Sequence, residues 1–207
     1  MGRNPIVRLW LMLVLAALLS ACVRPIQPTP TLEPTVPATT IPPTQPSLIN
    51  STTFPVGIIA QWLQTMGVTA NNLTPFTQVQ VGPDEIVGYV FQDPTMQRCV
   101  GWILATPATQ QIWNGDYRCA PANTVAVTGT NLLALTNNEF YVISYGYVDP
   151  NTAPTANAIS VMFPSGASLG QLLTNRGFIV LQPGLSNPSQ GFIVDANGNA
   201  VANVTFQ

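Results

Sequence analysis

Thr77-Gln78-Val79-Gln80-Val81 alternates polar and apolar side chains without a break, and Pro83-Asp84 follows it as a turn. An extended chain points successive side chains to opposite faces, so a period of two marks a strand with one buried face. The same pattern continues outward from this stretch. Short β-branched or aromatic segments recur at 86–91, 99–104, 140–148, 159–163, 178–181, 192–194 and 201–206, separated by clusters of Gly, Pro and Asn. Eight or more short strands with this punctuation predict a mostly β domain, either a single antiparallel β-sandwich or an open barrel. One short helix is expected ahead of it: Ile58, Ile59, Trp62, Leu63 and Met66 form one apolar stripe, ended by Gly67. Residues 54–207 are long enough for one domain burying about 68–70% of its unfolded surface.

Charge is scarce. Of 207 residues 46% are apolar and only 7% charged, with six Arg, no Lys and no His, against about 25% charge in ordinary domains. Three Arg beyond residue 90 cannot form the basic footprint of a nucleic-acid binder. Without His, a Ser-His-Asp triad, Cys-His chemistry and a His-ligated metal are excluded. No catalytic residue, metal site or cofactor is expected.

The N-terminal third has a different composition. Arg3 and Arg8 precede an unbroken apolar run from Leu9 to Leu19, then Ser20, Ala21 and Cys22. The run would make about 16 Å of helix, too short for a bilayer core needing about 20 residues, and its flanks are those of an export signal. Leu19-Ser20-Ala21-Cys22 resembles the lipobox of bacterial lipoproteins. That resemblance implies cleavage of residues 1–21 and lipidation of Cys22 with palmitate-type chains. It also implies a protein held at the cell membrane or cell surface on the extracytoplasmic side, since two or more acyl chains anchor stably. From Pro25 to Pro46, eight of 22 residues are Pro and six are Thr. Such a stretch cannot bury a core and favours extended polyproline II, so residues 22–53 read as a lipidated Cys plus a Pro/Thr-rich linker.

Cys99 and Cys119 remain as an even pair for an exported chain and are expected to form a structural disulfide. Asp195-Ala196-Asn197-Gly198-Asn199 lacks the sixth-position Gly and twelfth-position Glu of a calcium loop and reads as a hairpin with a type I′ turn at Asn197-Gly198. A Gly-aromatic-aliphatic triplet recurs at Gly88, Gly146, Gly177 and Gly191, read as a place where a strand begins or bulges. The domain carboxylates Asp84, Glu85, Asp93, Asp116, Glu139, Asp149 and Asp195 show no spacing that pairs any two for hydrolysis. Alternation along 140–148 puts Tyr141, Tyr145 and Tyr147 on one face. With Trp113 they are the candidate ligand-stacking residues, set against core packing as the alternative. The leading functional expectation is a lipid-anchored, non-enzymatic binding or structural β domain facing a neutral glycan, the cell wall or another protein. A carbohydrate-binding module and a carboxylate-based hydrolase are the alternatives.

Overall fold

Alternation and turn chemistry fold residue 71 onward into eleven antiparallel strands among the described residues: β1 Asn71–Val81, β2 Asp84–Gln92, β3 Arg98–Thr106, β4 Gln111–Ala120, β5 Ala126–Ala134, β6 Phe140–Val148, β7 Ala158–Met162, β8 Ser168–Leu172, β9 Gly177–Pro183, β10 Gln190–Val194 and β11 Ala200–Val204. The structure is a computed structural model that describes residues 54–135 and 138–206. Cys22, the 1–21 signal and the 22–53 linker lie outside the described residues.

The strands form three sheets: a meander β1-β2-β3-β4, a middle sheet β5-β6-β9, and a third ordered β11-β10-β7-β8. They stack in sandwich fashion, and the sheets keep free edges where a barrel would have closed. Between the first and middle sheets lies a core of Phe76, Ile86, Val100, Trp102, Leu104, Ile143, Tyr145 and Ile179. Strand β9 sends Ile179 into that core and Phe178 and Val180 into a second one, shared with Ile159, Val161 and Ile193 of the third sheet. The outer face of the first sheet carries Val87, Tyr89, Phe91 and Ile103, and it is covered by the helix α1, Val56–Thr65.

The helix follows its apolar stripe, with Ile59 and Leu63 fully buried, while Met66 falls past its end and is exposed. Gly67, at φ +77°, turns the chain out. Its N–H donates to Gln64 O at 2.9 Å and the Val68 N–H to Leu63 O at 3.0 Å, the double bond of a Schellman stop.

Three of the recurrent glycines share a packing cause that their sequence does not show. None of Gly88, Gly146 and Gly177 adopts left-handed backbone; Gly177 does begin β9, whereas Gly88 and Gly146 lie mid-strand, Gly88 facing a β1 irregularity without being the inserted residue. Each lies beneath an aromatic ring. A Cβ on Gly88 or Gly177 would strike Phe76 at 2.6 or 2.1 Å, and one on Gly146 would strike Phe178 at 2.5 Å. The β10–β11 hairpin forms as expected, but only Gly198 has positive φ. The turn is therefore not type I′; Asp195 N donates to Asn199 O at 2.9 Å and Gly198 N to Asp195 O at 3.1 Å, a type I turn closed by a left-handed glycine.

Cys99 and Cys119 are bonded and directly opposite in the β3–β4 ladder, with Cα atoms 4.0 Å apart. The ring they close is worth about 3 kcal/mol in the chain-entropy treatment. Thermal denaturation with and without reductant is expected to differ by about 6–12 °C for a domain of this size. A difference under about 2 °C would mean that the β3–β4 ladder holds without the staple.

Candidate functional site

Strand β4 concentrates the polar chemistry of the domain. It is the last strand of its sheet, paired with β3 from Arg98↔Ala120 to Leu104↔Asn114, after which a bulge leaves Trp113 without a partner. Asn114, Asp116 and Arg118 sit opposite Leu104, Trp102 and Val100, which line the core, so these side chains turn toward the middle sheet. There Asp116 Oδ1 accepts from Arg118 Nη1 at 2.9 Å, and Asp116 Oδ2 accepts from Tyr145 Oη at 3.1 Å and from Asn131 Nδ2 at 3.3 Å. Burial, reinforced by the facing Asp116 charge, pushes the Tyr145 hydroxyl well above the usual phenol range. The hydroxyl is held protonated and donates to Asp116.

A cavity of about 320 Å³ opens at the end of β4, where residues 118–120 meet β5 and the end of β11. Its walls carry Arg118, Cys119, Thr124, Thr128 and Asn203. At the other end of the strand the Trp113 ring is 54% exposed. Its Nε1 donates to Thr106 Oγ1 at 2.7 Å, which donates to the buried Asp84 Oδ1 at 2.9 Å. The indole is thus held in one orientation on the surface.

The tyrosine row lies inside the sandwich. Tyr145 is fully buried, and Tyr141 and Tyr147 are half-buried against the same core. Of the four stacking candidates, Trp113 alone presents a largely open ring, at the bulge of a different sheet.

All three arginines of the described domain are committed to the fold. Arg98 pairs with Asp149 at 2.5 Å and lies over the Tyr147 ring at 5.4 Å. Arg118 binds Asp116. Arg176, in the tight turn into β9, donates Nη1 to Ala156 O at 2.9 Å and Nη2 to the carbonyl of Ala153. The carboxylates are tied down as well. Asp93 Oδ1 accepts from the amides of Thr95 and Gln97, and Asp195 from those of Asn197 and Asn199. Hydrogen bonds from Asn199 hold the Asp195 carboxyl below its usual range. Glu85 accepts from Gln78, and burial raises its carboxyl despite that bond. Glu139 accepts from Tyr141 Oη at 3.3 Å. Asp84 and Glu85 are consecutive on β2 and point to opposite faces. Among the described residues no group of three His, Cys, Asp or Glu side chains could hold a metal ion.

The Asp116 cluster was not legible beforehand, because Asp116, Asn131 and Tyr145 come from three strands, two of which read as loop. No protein family, no curated protein and no solved structure matches this chain.

Proposed function

We propose that this protein is a lipid-anchored extracytoplasmic lipoprotein that displays a non-enzymatic β domain on a Pro/Thr-rich stalk. The observation that carries the reading is Leu19-Ser20-Ala21-Cys22, placed directly after a cationic start and an apolar run too short to span a bilayer. The Cys99–Cys119 disulfide supports export, since such bonds persist in oxidising compartments. The non-enzymatic part rests on the side chains themselves. The seven domain carboxylates each have a local hydrogen-bond or ion-pair partner, so their lone pairs serve turns, strand ends and sheet contacts. A glycan platform built on the tyrosine row finds no support, because that row packs between sheets.

Expression of the full chain in a bacterium fed an alkyne-tagged palmitate tests the anchor. The wild type is expected to take up label and to sediment with membranes, and Cys22→Ser is expected to lose the label. A wild-type chain that stays unlabelled, or label retained by Cys22→Ser, would overturn the assignment.

A further inference from the structure

The first sheet has two edges, and they are shaped differently. Edge strand β1 contains Pro75, carries two register irregularities and has Asn72 at φ 53°, the features by which proteins block pairing with other chains. Edge strand β4 has no proline, and from Asn114 to Ala120 its register is unbroken.

The hydrogen-bond phase of that edge follows from the disulfide. Opposed residues only 4.0 Å apart at Cα form the narrow kind of antiparallel pair that exchanges no ladder hydrogen bonds. Cys119 therefore turns its N–H and C=O away from β3, and so do Tyr117 and Gly115 at every second position. Two contacts bear this out: the Gly115 N–H donates to Asn114 Oδ1 at 2.8 Å, and Tyr117 O accepts from Arg118 Nη1 at 3.0 Å. Both caps are single local side chains, which an incoming strand would displace to take their places.

We propose that β4 pairs antiparallel with β4 of a second copy of this chain, about a two-fold axis through Tyr117, joining the two first sheets into one continuous eight-stranded sheet. A two-fold interface must be self-complementary, and Asp116-Tyr117-Arg118 is. With Tyr117 facing itself in a hydrogen-bonded pair, Asp116 stands opposite the partner's Arg118 and Arg118 opposite the partner's Asp116. Both fall in narrow pairs, where side chains are closest. The same register brings the Trp113 end of each strand to the Ala120 end of the other. The exposed indole and the 320 Å³ cavity, at opposite ends of one strand, then meet across the interface twice. A cavity of about 150 Å³ suffices for benzene, so this one has room for an indole, and a ring of that size is the usual energetic anchor of an interface.

Sedimentation of the full chain in non-ionic detergent, from micromolar to millimolar, tests this with the wild type, Asp116→Arg, Arg118→Asp, the double exchange and Trp113→Ala. The wild type is expected to dimerise, each single exchange to abolish the dimer, and the double exchange to restore it. Trp113→Ala is expected to weaken association at least about tenfold. Because Asp116 also holds Tyr145, an exchanged chain that fails to fold leaves the decision to Trp113→Ala and to amide hydrogen exchange in the wild type. The amides of Gly115, Tyr117 and Cys119 are expected to slow as concentration rises. A monomer at millimolar concentration, a dimer indifferent to Trp113→Ala, or edge amides whose exchange ignores concentration would each overturn the proposal.

Discussion

Asp149→Ala is expected to remove about 3–5 kcal/mol of folding stability in urea titrations, the usual cost of breaking one side of a buried ion pair. Arg98 opens β3 in the first sheet and Asp149 follows β6 in the middle sheet, so their 2.5 Å contact ties two layers at one end. The side chains are 18% and 3% exposed, and losing the carboxylate alone leaves the guanidinium over the Tyr147 ring without its counter-charge. Replacing both partners with apolar residues, Arg98→Met with Asp149→Leu, is expected to recover most of the loss. A loss under about 1 kcal/mol in the single variant would show that the pair is surface-like in energy. The pair also sets an acid limit. Burial alone would raise the Asp149 carboxyl, but the Arg98 hydrogen bond, the Asn151 amide and the charges of Arg98 and Arg176 outweigh it and hold the group below the usual carboxylate range. A carboxyl depressed on folding contributes stability above its unfolded value of about 3.9, and the contribution is lost as pH falls through the lower folded value. Glu85, raised by burial, works in the opposite sense. The difference between wild type and the apolar double variant isolates the Asp149 titration, and it should move in the variant's favour on acidification below about pH 4.

Phe76→Ala is expected to cost a comparable 3–5 kcal/mol. Its ring, 3% exposed, lies over Gly88 of β2 and Gly177 of β9, and so fills the space that both missing side chains leave between the first and middle sheets. Gly177→Ala alone is expected to cost about 1–3 kcal/mol, because its Cβ would sit 2.1 Å from a ring that has nowhere to go. In the Phe76→Ala background the same methyl enters a vacated space and should be tolerated. A double-mutant cycle should therefore give a coupling above about 1 kcal/mol, and strict additivity would refute the account.

The strands that alternate or run apolar were legible in the sequence because burial imposes that pattern: β1, β2, β3, β6, β7, β9, β10 and β11 stand where the residues point. β4, β5 and β8 were not. Gln111, Asn114, Gly115 and Asp116, or Thr128, Gly129 and Asn131, read as loop by composition. All three are edge strands, as β1, β9 and β11 are, but β4 and β8 line little core and β5 gives it only scattered positions such as Val127 and Leu133, so little forces them toward a run of Val, Ile or Phe. The tyrosine row shows the complementary difficulty. Alternation correctly put Tyr141, Tyr145 and Tyr147 on one face, but it cannot say what lies over that face, and a second sheet does. The triplet glycines were visible as a repeat, yet at Gly88, Gly146 and Gly177 the space is taken by an aromatic ring, Phe76 or Phe178, that the local sequence does not reveal. The Asp116 cluster, drawn from β4, β5 and β6, is long-range for the same reason.

Strand β9 gives Ile179 to one core and Phe178 and Val180 to the other, with its backbone bonded along β6. Neither sandwich can come apart without stripping a wall from its neighbour. The two cores should consequently melt together, in one transition, although they are built on separate faces. The β7–β8 hairpin of the third sheet lies between β6 and β9 in the chain, so the same connection that closes the middle sheet also supplies strands to the other core. A substitution that thins β9, such as Val180→Ala, is therefore expected to lower the single melting temperature of both cores together, and two separate transitions would show that the shared strand does not couple them.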